Sequence, residues 1–274
     1  MRSTELANLS EWTMRLGHRY PVGELAAMRR FWLEESPQGP DEGQWSRLLA
    51  GEPVQYILQK AWFMGRTLGV DASVLIPRQE SEELVAWVLE EKAYHSLACL
   101  DLGTGSGCLA LALAWKGKGR PVYGVDLSEA ALQTASKNAV LWGLESSFIP
   151  KQGDFMDQAW IPPPAVLWVS NPPYIGRDEA SQLEQHVLDY EPHSALFAPG
   201  PHPLDVYRAL AEHFLRNRVA RFFWLELNPL YADECLLLWP GCQTQIREDM
   251  QGKPRMLRVI KEGLQPELDD QSFA

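Results

Sequence analysis

Residues Cys99 to Ala114 read CLDLGTGSGCLALALA. The stretch opens as a short apolar strand that ends at Asp101. Gly103, Gly105 and Gly107 follow, and an apolar run of helical character begins near Cys108. Glycine lets the backbone turn sharply and lets a ligand approach the main chain closely. The N-terminus of the following helix presents N–H groups to that ligand. The spacing is not the G-x-G-x-x-G of dinucleotide binders. The third glycine comes one residue early, and Cys108 stands where it would be needed. Asp101, just before the turn, suits a cationic or amine-bearing ligand better than a pyrophosphate.

Strand and helix alternate outward from this unit. PVYGVDLS is a second strand, SEAALQTASKNAVLWG a helix, SSFIPKQGD a third strand and AVLWVSNPPY a fourth. DVYRALAEHFLRN is a helix before the strand VARFFWLELN, and CQTQIREDM and RMLRVIK read as antiparallel partners. Such alternation predicts a mostly parallel sheet covered on both faces. The second strand ends in Asp126, a position suited to a ribose diol. After the third strand, Asp154 is placed to accept from an exocyclic amine and Phe155 to stack on a base. Taken singly, each glycine reads as well as an ordinary turn. Taken in strand order, Asp101, Gly103, Thr104, Gly105, Ser106, Gly107, Asp126, Asp154 and Phe155 describe a site for a nucleoside without phosphates. S-adenosylmethionine is such a ligand, and S-adenosylhomocysteine its product.

The fourth strand ends in VSNPPYIG, Val169 to Gly176. Ligands of open α/β sheets bind beyond the carboxyl ends of the strands, so Asn171 is expected in the same crevice as the glycine turn. Pro172 and Pro173 stiffen the backbone and leave carbonyls free to accept. The Asn171 side-chain oxygen and the Pro172 carbonyl are then two fixed acceptors, a match for the two hydrogens of a planar –NH2 group. Tyr174 is expected to pack against that flat group. An amide nitrogen is a poor nucleophile, because its lone pair is delocalised. Gripping both hydrogens aims the nitrogen and favours its tetrahedral form, which makes positioning and electrostatics the main source of catalysis. The six histidines make no constellation, and no metal site is expected.

The chain has 274 residues, enough for one large or two modest domains. Hydrophobic residues make up 46% and charged residues 22%, the balance of a globular chain with a sizeable core. The net charge of −11 opposes non-specific binding to nucleic acid and anionic membrane. The four cysteines, Cys99, Cys108, Cys235 and Cys242, form no C-x-x-C pair and read as free thiols. No apolar signal core opens the chain, and the longest apolar runs are too short to span a bilayer. A cytoplasmic location is expected. Leu6, Leu9, Trp12 and Leu16, then Leu25, Met28, Phe31 and Trp32, form helical stripes in the first part. QWSRLLAG reads as a helix ending at Gly51, and the stretch from Ala61 to Val74 as a β-hairpin or extended connector. A further helix starts in IPRQESEELVAWVLEE, and the tail after Gly263 is polar.

DLGTGSG together with NPPY resembles the class I amino-methyltransferases. More narrowly, GEPVQYIL, VLIPRQESEELV, DLGTGSGCLALALA, NPPYI, YEPHSALFA and REDMQGKPRML stand in the order seen in the release-factor glutamine methyltransferase family. The resemblance covers nearly all of the chain from about Gly51. It implies a small N-terminal helical domain over 1–60, a connector over 61–76 and an S-adenosylmethionine-dependent domain over 77–274. The latter is expected to be a Rossmann-like α/β sheet, mostly parallel with an antiparallel C-terminal strand. The reaction implied is methyl transfer to the side-chain amide of the glutamine in the Gly-Gly-Gln motif of class 1 peptide chain release factors. Gly103 to Gly107, Asp126 and Phe155 would serve the donor, and Asn171 to Tyr174 the glutamine amide. Arg78 and Glu80, between the two domains, are expected near the mouth of the site.

The sequence departs from the family pattern at Gln59 to Trp62, at Gln79 and Ser81 in IPRQESE, and at Asn228 in LELN. NPPY also occurs in methyltransferases acting on adenine or guanine. The net charge and the IPR element argue against that alternative and against direct nucleic-acid binding. A binding module that kept the fold and lost turnover is a third reading.

Overall fold

The structure, a computed structural model, describes residues 10–117 and 120–262. Leu6, Leu9 and the polar tail after Gly263 lie outside the described residues. Seven strands form one sheet in the order β5-β4-β3-β6-β7-β9-β8. β3 (Cys99–Leu102), β4 (Val122–Asp126), β5 (Phe148–Gln152), β6 (Leu167–Ser170) and β7 (Phe222–Glu226) run parallel. β9 (Pro254–Lys261) is antiparallel to β7 on one side and to β8 (Cys242–Glu248) on the other, as CQTQIREDM and RMLRVIK predict.

β3, β6 and β7 are buried along their whole lengths, which explains their near-continuous apolar runs. One face is covered by α5 (Gln79–Leu89), α6 (Cys108–Lys116) and α7 (Glu129–Trp142). The other carries α10 (Leu204–Arg216) and α11 (Ala232–Leu236), with Leu210, Phe214 and Trp239 packed on Trp168 and Phe223. All four cysteines are free.

Ahead of the sheet, helical residues 10–16 (α1), α2 (Val22–Glu35), α3 (Glu42–Ala50) and α4 (Val54–Leu58) bury a tryptophan cluster. Trp12 meets Trp32 and Trp45 edge-on at 6.0 and 5.0 Å. Asp41 and Gln44 form a reciprocal capping box at the start of α3. Gly51 closes α3 in the left-handed conformation, as its position after QWSRLLA predicts. The short α4 was not legible in the sequence, because five residues carry too little periodicity.

The stretch after α4 is a hairpin, β1 (Lys60–Phe63) paired with β2 (Arg66–Gly69). It is fastened to α7. Asn138 accepts from the Gly69 N–H at 2.6 Å and donates to the Gly69 carbonyl at 2.9 Å, while the Trp142 indole donates to the Thr67 carbonyl. The segment after NPPY holds a 3₁₀ turn (Arg177–Gln182), α8 (Gln185–Tyr190) and α9 (His193–Leu196). It returns to the sheet through a bridge between Ile175 and Phe197.

Candidate active site

The chain leaves β3 towards β4 and β5, then comes back to β6 on the opposite side of β3. The strand order therefore reverses between β3 and β6, and a crevice opens there beyond the carboxyl ends. Register brings Leu102 opposite Ser170, so Gly103 and Asn171 leave the sheet side by side. A cavity of about 620 Å³ occupies the crevice, within the range of roughly 300–1,000 Å³ of small-molecule sites. Its lining includes Gly103 to Ser106, Asp126, Asp154, Phe155, Asn171, Pro173 and Arg78.

The glycine turn is held from below. The N–H groups of Gly103 and Thr104 donate to the Val125 carbonyl at 2.9 and 2.8 Å. Gly105 N–H donates to the Asp126 carboxylate at 2.9 Å. A Cβ on Gly103, where φ is +74°, would sit 3.8 Å from the Phe155 ring and 3.9 Å from the Asn171 carbonyl. A side chain there would intrude between the turn and Asn171. Gly107, at φ +82°, starts α6, and a Cβ there would lie 3.2 Å from Ala135 Cβ. Gly107 is thus a packing residue rather than part of the cavity lining.

Asp101 is fully buried beneath the turn and does not line the cavity, a correction to its expected place beside the ligand. Its carboxylate accepts from Thr104 Oγ1 at 2.7 Å and from the Ala110 N–H at 3.2 Å. It therefore ties the turn to the first turn of α6. Burial pushes its carboxyl up to about 7. Burial also raises Asp126, whose oxygens accept from the Gly105 and Ser128 N–H groups. Asp154 accepts from the Met156 N–H at 2.8 Å, which fixes the turn that carries Phe155.

Asn171 lines the cavity and donates from Nδ2 to Ser81 Oγ at 3.1 Å. Ser81 in turn donates to Glu226 Oε1. Pro173 lines the cavity, whereas Pro172 and Tyr174 are not among its lining residues. Tyr174, expected to pack its ring on a flat ligand group, is anchored by other contacts. Its hydroxyl accepts from Arg255 Nη1 at 3.4 Å, its carbonyl accepts from Asn228 Nδ2 at 3.1 Å, and the ring packs towards the α10 face. Burial raises its phenol above the ordinary value. Arg78 lines the cavity and Glu80 does not.

Three residues of the site escaped sequence reading. Glu226 passed as the end of an apolar strand, although a carboxylate in such a run is itself a signal. Ser81 registered only as a departure. Glu191, which binds Arg78 at 2.6 Å and accepts from the Ile76 N–H at 3.2 Å, gave no local signal.

Residues 83–160 match the family model described as ribosomal protein L11 methyltransferase (PrmA). A release factor glutamine methyltransferase of Flavobacterium psychrophilum is 36% identical over 231 residues, covering 79% of this chain and 79% of that protein. That of Koribacter versatilis is 34% identical over 87% of this chain and 82% of its own length. That of Bacillus subtilis is 36% identical over 77% and 76%. The chain belongs to the release factor glutamine methyltransferase family. Among solved structures, the hMettl16 catalytic domain in complex with MAT2A 3′UTR hairpin 6 superposes with a TM-score of 0.58 at 14% identity. The match covers 84% of this chain and 95% of that one, and it concerns the fold alone.

The departures from the release factor glutamine methyltransferase pattern have structural uses. Gln59 closes α4 at φ +54°, a left-handed conformation that glycine adopts more readily. Lys60 Nζ and Trp62 Nε1 both bind Glu35 of α2 at 2.8 Å, which joins the hairpin to the helical part. Asn228 holds the Tyr174 carbonyl and the Glu179 carboxylate and accepts from the Leu230 N–H. It clamps the segment that follows NPPY onto the end of β7.

Proposed function

We propose that this protein transfers a methyl group from S-adenosylmethionine to the side-chain amide nitrogen of the glutamine in the Gly-Gly-Gln motif of class 1 peptide chain release factors. The observation that carries the reading is the free acceptor on Asn171. Nδ2 is engaged by Ser81, and Oδ1 has no partner among the described residues. An acceptor oxygen at the rim of a nucleoside-sized cavity, followed by two prolines, suits an incoming –NH2 group.

The cavity suits the donor. The glycine turn leaves its main chain open where Cβ atoms would fill the space. Asp126 has two oxygens fixed by backbone N–H groups and lone pairs left for vicinal hydroxyls. Phe155 and Met156 give a base an apolar wall. The donor supplies an electrophilic methyl on sulfur. The protein binds it, holds the amide –NH2 through Asn171 Oδ1, and excludes water. As the N–CH3 bond forms the S–CH3 bond would break, S-adenosylhomocysteine would leave as the neutral thioether, and the acidified nitrogen would lose one proton to solvent as product departs, so no strong side-chain base is required. Favourable contacts that strengthen as the amide leaves planarity raise kcat rather than ground-state affinity alone.

The test is transfer from radiolabelled donor to a purified class 1 release factor, to the same factor with the Gly-Gly-Gln glutamine changed, and to RNA and DNA. Label is expected only on the intact factor. Equal labelling of the altered factor, or label on nucleic acid, would sink the proposal.

A further inference from the structure

Ser81, Asn171 and Glu226 lie on three elements, the first turn of α5 and the ends of β6 and β7, yet their side chains form one chain of hydrogen bonds. Ser81 is 2% and Glu226 1% exposed. A serine hydroxyl has a single proton. Here it goes to Glu226 Oε1, which in its ionised form can only accept. The remaining lone pairs of Ser81 Oγ then accept from Asn171 Nδ2 at 3.1 Å. A carboxamide turned the other way would set Oδ1 against an oxygen with no proton to offer.

We infer that Ser81 and Glu226 are positioning residues that orient the Asn171 carboxamide, fixing Nδ2 inwards and Oδ1 towards the substrate amide. The inference rests on the proposed role of Asn171 and adds what sets its direction. Ser81 lines the cavity and Glu226 stands behind it. Glu226 sets the direction of the Ser81 hydroxyl, and the hydroxyl sets the amide. With the hydroxyl gone, the carboxamide is free to rotate and present Nδ2, a donor that repels the –NH2 of a glutamine. This relay differs from a general base. Glu226 is not among the residues lining the cavity and acts through Ser81.

The test is single-turnover methyl transfer to a class 1 release factor by the full chain carrying Ser81→Ala, Ser81→Thr, Asn171→Ala, and Ser81→Ala with Asn171→Ala together. Calorimetric titration of S-adenosylhomocysteine on each variant reports the folded donor site. Ser81→Ala is expected to lower the transfer rate about tenfold to a hundredfold, in kcat more than in KM for the release factor. Ser81→Thr, which keeps the hydroxyl, is expected to retain most of the rate. In the Asn171→Ala background, Ser81→Ala is expected to add little, because the two residues act through one contact. An equal loss in the alanine and threonine variants, or a Ser81→Ala effect that persists undiminished without Asn171, overturns the relay. Parental turnover in Ser81→Ala beside a large loss in Asn171→Ala overturns the relay alone. Parental turnover in Asn171→Ala removes the reading of Asn171 and the relay with it.

Discussion

Arg78 and Glu191 meet at 2.6 Å across 113 residues of sequence. One stands just before α5, the other between α8 and α9, and the pair ties the connector to the segment that follows NPPY. The Glu191 side chain is 1% exposed and that of Arg78 35%. Removing Arg78 strands a buried carboxylate. Breaking such a pair costs about 3–5 kcal/mol when both partners are dry, and the half-wet arginine reduces this to roughly 1–3 kcal/mol. Arg78→Ala should lower stability in urea by that amount and transfer by about tenfold through the displaced cavity wall. Arg78→Lys should recover part of both, since an ammonium keeps the charge and not the planar fork. Unchanged stability and turnover would reduce the pair to a surface contact.

Asp126 holds the turn through Gly105 and lines the cavity at the end of β4. Asp126→Ala removes a charged acceptor and loosens the turn together. Affinity for S-adenosylhomocysteine should fall by about 1.5–3 kcal/mol, the worth of charge-assisted hydrogen bonds. Calorimetry reads this directly, and unchanged affinity would make Asp126 a cap for Ser128 and nothing more.

Asn171→Ala should leave donor affinity near parental and cut kcat about a hundredfold to a thousandfold, as loss of one preorganised polar contact does. Asn171→Asp keeps one acceptor oxygen, which taken alone would preserve partial activity. The structure argues for a smaller remainder. The new carboxylate and an ionised Glu226 would compete for the single proton of the Ser81 hydroxyl. Single-turnover rates of the two variants decide between these expectations.

Stability should fall as pH rises from about 5 to 7. Glu226 is raised from 4.5 to about 7 and Asp101 from 3.8 to about 7, both chiefly by burial. A carboxyl with a higher value in the folded chain holds its proton there after the unfolded chain has released it. Its contribution is fully present below the unfolded value and lost as pH rises towards 7. Each such proton adds a slope of about 1.4 kcal/mol per pH unit within that window. Burial raises Glu226 and the Glu80 charge adds to it, outweighing Ser81 and Arg78 at the start of α5 and Arg255 of β9, which pull it down. Glu226→Gln removes one of the two groups. Urea titrations at pH 5, 6 and 7 should show a shallower decline in that variant, and an identical decline would mean that Glu226 titrates at its ordinary value.

Gln59→Gly should relieve a left-handed residue at the end of α4. The gain expected in thermal or urea unfolding is up to about 1 kcal/mol, offset in part by the greater freedom of glycine in the unfolded chain. A loss of stability would mean that the Gln59 side chain makes a contact worth more than its strain.

The sequence by itself determined the sheet, the glycine turn and the place of NPPY. Buried parallel strands must be apolar along their length, a turn that approaches a ligand must lack Cβ, and prolines stiffen a loop wherever they stand. These are local demands, and each leaves a mark within a few residues. Tertiary structure decided what holds those parts at working distance. It set Asp101 under the turn instead of beside the ligand, and turned the Tyr174 hydroxyl towards Arg255. It joined Arg78 to Glu191, and Asn138 of α7 to the hairpin. It also lined up Glu226, Ser81 and Asn171 from positions 90 and 145 residues apart. A hydrogen bond between distant residues requires only that each carry the right atom, and no pattern along the chain says which atoms the fold will bring within 3 Å.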